Sequence, residues 1–150
     1  MMINNSLTKL LQRVSGEDKK GINYITGEAS ESFISYNRLY RVSLSILYCL
    51  QQRGLKAGDK LVFQIEDSQD FINVFWACQL GGIIPIPVTV GNNDEHRLKV
   101  FKICDILGSC RLIAVETWAE KMGKFASVSG LGSSWEKIKA DLILLEDLQT

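Results

Sequence analysis

The sequence predicts an α/β protein, a three-layer αβα arrangement around a mostly parallel sheet with a β-hairpin near the N-terminus. Two observations carry this. From about residue 60 onward, short apolar β-rich runs alternate with amphipathic helical runs across short turns, the pattern that βαβ units and right-handed crossovers produce. Ahead of them, two β-rich runs flank a four-residue turn. With 150 residues, 46% apolar and 23% charged, the chain has core enough for a single α/β subdomain and is too apolar for disorder.

Each element has its own signal. Leu7, Leu10, Leu11 and Val14 recur at helical spacing with Ser6 placed as N-cap. "GINYIT" and "ESFISY" read as an antiparallel hairpin around "GEAS". An amphipathic helix is expected from about Asn37 to Arg53, built on Leu39, Val42, Ile46, Leu47 and Leu50, with Gly54 as its terminating glycine. Then follow a strand at 60–65, a helix at 68–80 capped by Ser68, a strand at 83–88 and a helix at 93–107. A strand at 111–115, a helical "TWAEKMGKFA", a helix at 133–140 and a strand at 141–145 complete the chain. "SVSGLGSS" between the last two helices reads as a loop.

Composition excludes several function classes. Seventeen basic residues balance seventeen acidic ones, which gives no electrostatic footprint for nucleic acid or an anionic membrane. The longest apolar runs are too short to span a bilayer, and the N-terminal twenty residues lack the apolar core of a signal peptide. A cytoplasmic location is expected. Cys49, Cys78, Cys104 and Cys110 form no C-x-x-C pair; the first three fall on apolar helical faces, so all four are expected as structural thiols rather than as metal ligands or a disulfide scaffold.

The residues that could do chemistry each have a structural reading. Glu66, Asp67 and Asp70 follow a strand, where α/β ligands bind, but acidic groups at a helix start also complement its dipole. "SGLGSS" (129–134) precedes a helix, as phosphate loops do, yet lacks the Lys-Ser/Thr ending of a P-loop and the third glycine of a dinucleotide fingerprint. His96, the sole histidine, sits in a polar first turn with no nucleophile on an elbow to serve. Phe75 and Trp76 lie on a helix, where large rings are core. No catalytic, cofactor-binding or metal-ligating residue is therefore assigned.

Both prolines of the chain, Pro85 and Pro87, sit two apart in its most apolar strand, "IIPIPV". N–H groups at i and i+2 point to the same side, so the two prolines remove donors from one edge of the strand and leave the other edge intact, while Ile84, Ile86 and Val88 share the opposite face and can still pack. A strand at a sheet boundary is expected.

The order of segments from "FISYNRLYRVSL" to "GGIIPIPVTV" resembles the N-terminal region of the adenylate-forming enzymes: acyl-CoA synthetases, fatty acyl-AMP ligases and nonribosomal peptide synthetase adenylation domains. Ile34, Ser35, Tyr36 and Leu39 match the first core motif, with Arg38 where Glu is usual. Gly54, Gly58 and Asp59 match the helix end and the Gly-Asp pair after it. Gly82 and Pro87 match the second core motif, with Gly81 for Ala and Thr89 for Asp. The resemblance covers about residues 20 to 116. "GGIIPIPV" and the long "VTVGNNDEHRL" look most like the adenylating modules of hybrid peptide–polyketide synthases. The two charge departures leave an acyl-activating type open beside the amino-acid-activating one.

This resemblance implies carboxylate activation with ATP and Mg²⁺, then transfer of the acyl group to coenzyme A or to a carrier-protein phosphopantetheine. The family's phosphate-cradling loop, its acidic metal and ribose ligand and its mobile lysine lie beyond the matched portion. The chain is thus expected to be an N-terminal fragment, inactive alone and with no bound cofactor of its own. Its expected partners are the remainder of the adenylation domain, a carrier protein and, through bare apolar surface, a second copy of itself. A self-contained α/β binding module without activity is the alternative.

Overall fold

The structure, a computed structural model, describes residues 6–148; the first five residues of the stretch inspected for a signal peptide lie outside it. The chain forms two compact units. One comprises the described residues up to Gly58 together with Asp67–Ile83, the other Asp59–Glu66 together with the described residues from Ile84 onward.

The first unit begins with α1 (Leu7–Arg13), where Ser6 Oγ accepts the Lys9 amide and Leu11 is buried. The antiparallel hairpin β1 (Gly21–Gly27) and β2 (Ser30–Ser35) pairs Gly21 with Ser35 and Tyr24 with Ser32. Gly21 is required there, because a Cβ would run into the backbone carbonyl of Ile34. Helix α2 (Tyr36–Gln52) starts one residue before the expected position, with Ser35 Oγ accepting the Arg38 amide at 3.1 Å. It buries Leu39, Ile46, Leu47 and Leu50 of the expected stripe, while Val42 is half-buried and Ser43 is buried beside it, and it ends at Gly54 with φ of 87°.

Helix α3 (Ser68–Gly81) carries a correction. Its N-cap is Asp67, whose Oδ1 accepts the Asp70 amide at 2.9 Å, and Ser68 is the first helical residue. Either residue suits a cap, and the ionised carboxylate is the stronger acceptor beside the positive end of the helix dipole. The helix ends at Gly82 in the left-handed region, φ 67°, and the Ile83 amide returns to the Cys78 carbonyl at 2.9 Å.

The second unit holds a four-stranded sheet of β3 (Lys60–Gln64), β4 (Ile84–Pro87), β5 (Leu112–Ala114) and β6 (Ile143–Leu144) in the order β4-β3-β5-β6. Every pairing is parallel. Helices α4 (Asp94–Leu107), α5 (Glu116–Val128) and α6 (Gly132–Ala140) follow β4 and β5, and a 3-10 turn, Leu145–Leu148, follows β6. Val62 and Leu112 from the sheet, Val100 and Phe101 from α4, Met122 from α5 and Trp135 from α6 form one buried cluster. The fold is the α/β class expected, a parallel sheet with helices plus a hairpin.

Strand β4 lies at the sheet boundary, as the prolines required. The Ile84 amide donates to the Asp59 carbonyl at 2.8 Å and the Val88 amide to the Phe63 carbonyl at 3.2 Å. Pro85 and Pro87, in register with Leu61 and Phe63, fall between these donors.

Two further expectations are corrected. The "SVSGLGSS" loop shrinks to 129–131, because α5 continues to Val128 and α6 begins at Gly132. And Cys104 and Cys110, expected as free thiols, form a disulfide with Cα atoms 4.9 Å apart. Gly108, φ 74°, ends α4 and turns the chain back, which carries Cys110 beside the last turns of the helix.

Candidate functional site

The carboxyl ends of β3 and β5, where parallel sheets bind ligands, open on a cleft of about 90 Å³. Its walls include Gln64 at the end of β3 and Glu66 just after it, Arg97 of α4, and Thr117, Trp118 and Lys121 in the first turns of α5.

Gln64 organises this end of the sheet. It is a polar side chain 4% exposed, and such a group is costly unless each polar atom finds a partner. Its Nε2 donates to the Val88 carbonyl at 2.7 Å and to the Phe63 carbonyl at 3.2 Å, while its Oε1 accepts the Trp118 indole N–H at 3.1 Å. Gln64 thereby ties β3 to the chain leaving β4 and to α5. The start of α5 has no side-chain cap of its own. The Glu146 carboxylate accepts the Glu116 amide instead, at 3.0 and 3.2 Å. Arg97 is held by Asp94 at 3.3 Å and lies 5.7 Å from the Phe125 ring centroid.

The cleft is several-fold smaller than the roughly 300–1,000 Å³ of ordinary small-molecule pockets. It has cationic groups in Arg97 and Lys121 and a carboxylate in Glu66, but no nucleophile beside a base.

The other sequence candidates lie elsewhere. Asp67 and Asp70 serve the start of α3. His96 makes a 2.7 Å contact through Nδ1 with Asn93 Oδ1, the cap of α4. "SGLGSS" follows a helix rather than a strand, and α6 begins there without a side-chain cap. Phe75 and Trp76 meet edge to face at 5.7 Å on α3. Among the described residues no group of three His, Cys, Asp or Glu side chains could hold a metal ion, and no helix is long and apolar enough to cross a membrane. Sequence reasoning missed the Gln64–Trp118 pair. Its signal was a lone glutamine in an apolar strand, "KLVFQI".

No protein-family model matches the sequence. The McyG A-PCP structure, solved with phenylalanyl-adenylate, matches 95% of this chain with a TM-score of 0.78 and 33% identity, over 25% of its own length. This chain belongs to the adenylate-forming enzymes. A fatty acid AMP ligase from Legionella pneumophila shares the fold, with a TM-score of 0.72 and 19% identity over 96% of this chain and 24% of its own. A Caulobacter vibrioides protein named "Putative acyl-CoA synthetase" is 23% identical over 138 residues, 85% of this chain and 23% of its own length. The chain thus spans about a quarter of the length of these relatives.

Several of the motif residues stand at the ends of elements. Ser35 caps α2, and Gly54 ends it. Gly58, φ 90°, donates its amide to the Gly82 carbonyl at 2.8 Å. Pro87 ends β4.

Proposed function

We propose that residues 1–150 act as one scaffold subdomain of an ATP-dependent carboxylate-activating enzyme. The full enzyme would form an acyl- or aminoacyl-adenylate and pass the acyl group to a phosphopantetheine or coenzyme A thiol. The observation that carries this reading is the 33% identity along 95% of the chain to a protein solved with an aminoacyl-adenylate. Its partners are the rest of the adenylation domain and a carrier protein.

The residues present do not fit ATP and Mg²⁺. The cleft at the sheet end is too small for a nucleotide, and no acidic group is assembled for the metal among the described residues. The part played here is packing: the Gln64 ties and the caps of α2 and α3 hold elements against which the remaining domain would be built.

Carboxylate-dependent ATP–pyrophosphate exchange tests this. The purified 150 residues are expected to show none, and robust exchange by them alone would overturn the scaffold role. The coding frame after Thr150 tests the parentage. A Ser/Thr/Gly-rich loop followed by Pro-Lys within a few tens of residues supports the enzyme. A stop there favours a self-contained binding module.

A further inference from the structure

We infer that Cys104 and Cys110 form a reversible redox site, a dithiol that exchanges with small-molecule disulfides and whose oxidation clasps the end of α4 to the start of β5. Three observations carry this. The two residues are six apart and already bonded across the turn. Both line a groove of about 390 Å³ with Gly108, Ser109 and Lys137, so a small thiol reagent has a path to the sulfurs. The turn itself rests on a few backbone bonds, Gly108 N–H to the Cys104 and Asp105 carbonyls at 3.1 and 3.2 Å and Ser109 N–H to the Leu107 carbonyl at 2.8 Å. Opening the bridge therefore requires no other element to unfold.

The exchange balances as two successive displacements. The Cys110 thiolate, the more exposed of the two, attacks one sulfur of a disulfide such as glutathione disulfide. The reagent's S–S bond breaks, one thiol leaves, and a mixed disulfide forms on Cys110. The Cys104 thiolate then attacks the Cys110 sulfur, the mixed disulfide breaks and the second thiol leaves. Two electrons pass from the protein dithiol to the reagent, and both thiol protons leave on the two released thiols. Excess reduced glutathione runs the same steps backward.

The two remaining cysteines provide an internal control. Cys78 is fully buried in α3, and burial pushes its thiol up to about 12, which keeps it protonated and inert. Cys49 stands alone on α2.

The test equilibrates the full chain in buffers of defined reduced-to-oxidised glutathione ratio, quenches with iodoacetamide and maps each cysteine by mass spectrometry. Cys104 and Cys110 are expected to pass together from alkylated to bridged as the ratio falls and to return when it rises, with Cys49 outside the bridge. In parallel, oxidation should raise the melting temperature of the wild-type chain by about 5 °C, and should not raise that of Cys110→Ser. Either cysteine alkylated throughout the oxidising range, a bridge to Cys49, or a bridge that glutathione never reopens would overturn the proposal. The mapping on the unmodified chain decides it even if the variant fails to fold.

Discussion

The indole N–H of Trp118 donates to Oε1 of Gln64 at 3.1 Å, across 54 residues of sequence. The same Gln64 side chain donates to the Val88 carbonyl at 2.7 Å. One amide thus joins the end of β3 both to the chain leaving β4 and to α5, the second of which it reaches through side chains alone. Gln64→Ala should destabilise by about 2–3 kcal/mol, since it strands a buried carbonyl and an indole donor. Trp118→Phe should cost about 1 kcal/mol by the same logic. Urea unfolding followed by circular dichroism, run as a double-mutant cycle, should give coupling near 1 kcal/mol. Additivity within about 0.3–0.5 kcal/mol would remove the pair from the account.

Arg38 occupies the position where the family carries Glu, three residues after the Ser35 cap. A glutamate there can reach back to the cap amide, completing a capping box, and complements the helix dipole. Arg38→Glu should therefore stabilise the chain by about 0.5–1 kcal/mol, read as a shift of the urea midpoint without change of slope. A lower midpoint would show that Arg38 has a role its present geometry does not reveal.

Asp67 and Ser68 both look like caps in sequence, and the structure separates them. Asp67→Ala should cost about 1 kcal/mol and Ser68→Ala within about 0.5 kcal/mol of nothing. The reverse order in thermal melts would restore Ser68 as the cap.

Cys78 sets an alkaline limit. Burial pushes its thiol from the ordinary 9.0 up to about 12, so above pH 9 the folded chain holds a proton that the unfolded chain has released. Stability from this group is whole below pH 9 and falls as pH climbs toward 12, at about 1.4 kcal/mol per pH unit. Tyr24 adds to the same trend. Its hydroxyl is raised first by burial and then by the Asp67 charge. Urea midpoints at pH 8 and pH 10.5 should drop for the wild-type chain, and by less for Cys78→Ala. Equal drops in both would assign the alkaline loss to other groups.

The elements were legible because their signals are local. Ser6, Ser35 and Gly54 act within one turn of themselves, and the apolar stripe of α2 repeats over seventeen residues. What escaped was pairing at a distance or competition between neighbours. Gln64 meets Trp118 only once β3 and α5 are in place. Cys104 meets Cys110 only because Gly108 turns the chain back on α4. Asp67 took the cap from Ser68 through acceptor strength, which periodicity does not register. The candidate site was least legible of all, since its residues come from three separate segments and none forms a motif.

The outer edge of β4 has a chemical polarity of its own. Along a strand, alternate residues send their amide and carbonyl to opposite sides. Ile84 and Val88 face β3, so Pro85 and Pro87 turn their carbonyls outward with no N–H beside them. This margin accepts and never donates. A β-strand laid along it would bring carbonyls with nowhere to bond, whereas guanidinium, ammonium or indole groups, or the free amides of a helix start, would suit it. Two imino acids thereby choose the kind of neighbour the sheet tolerates, turning away another strand and admitting a donor.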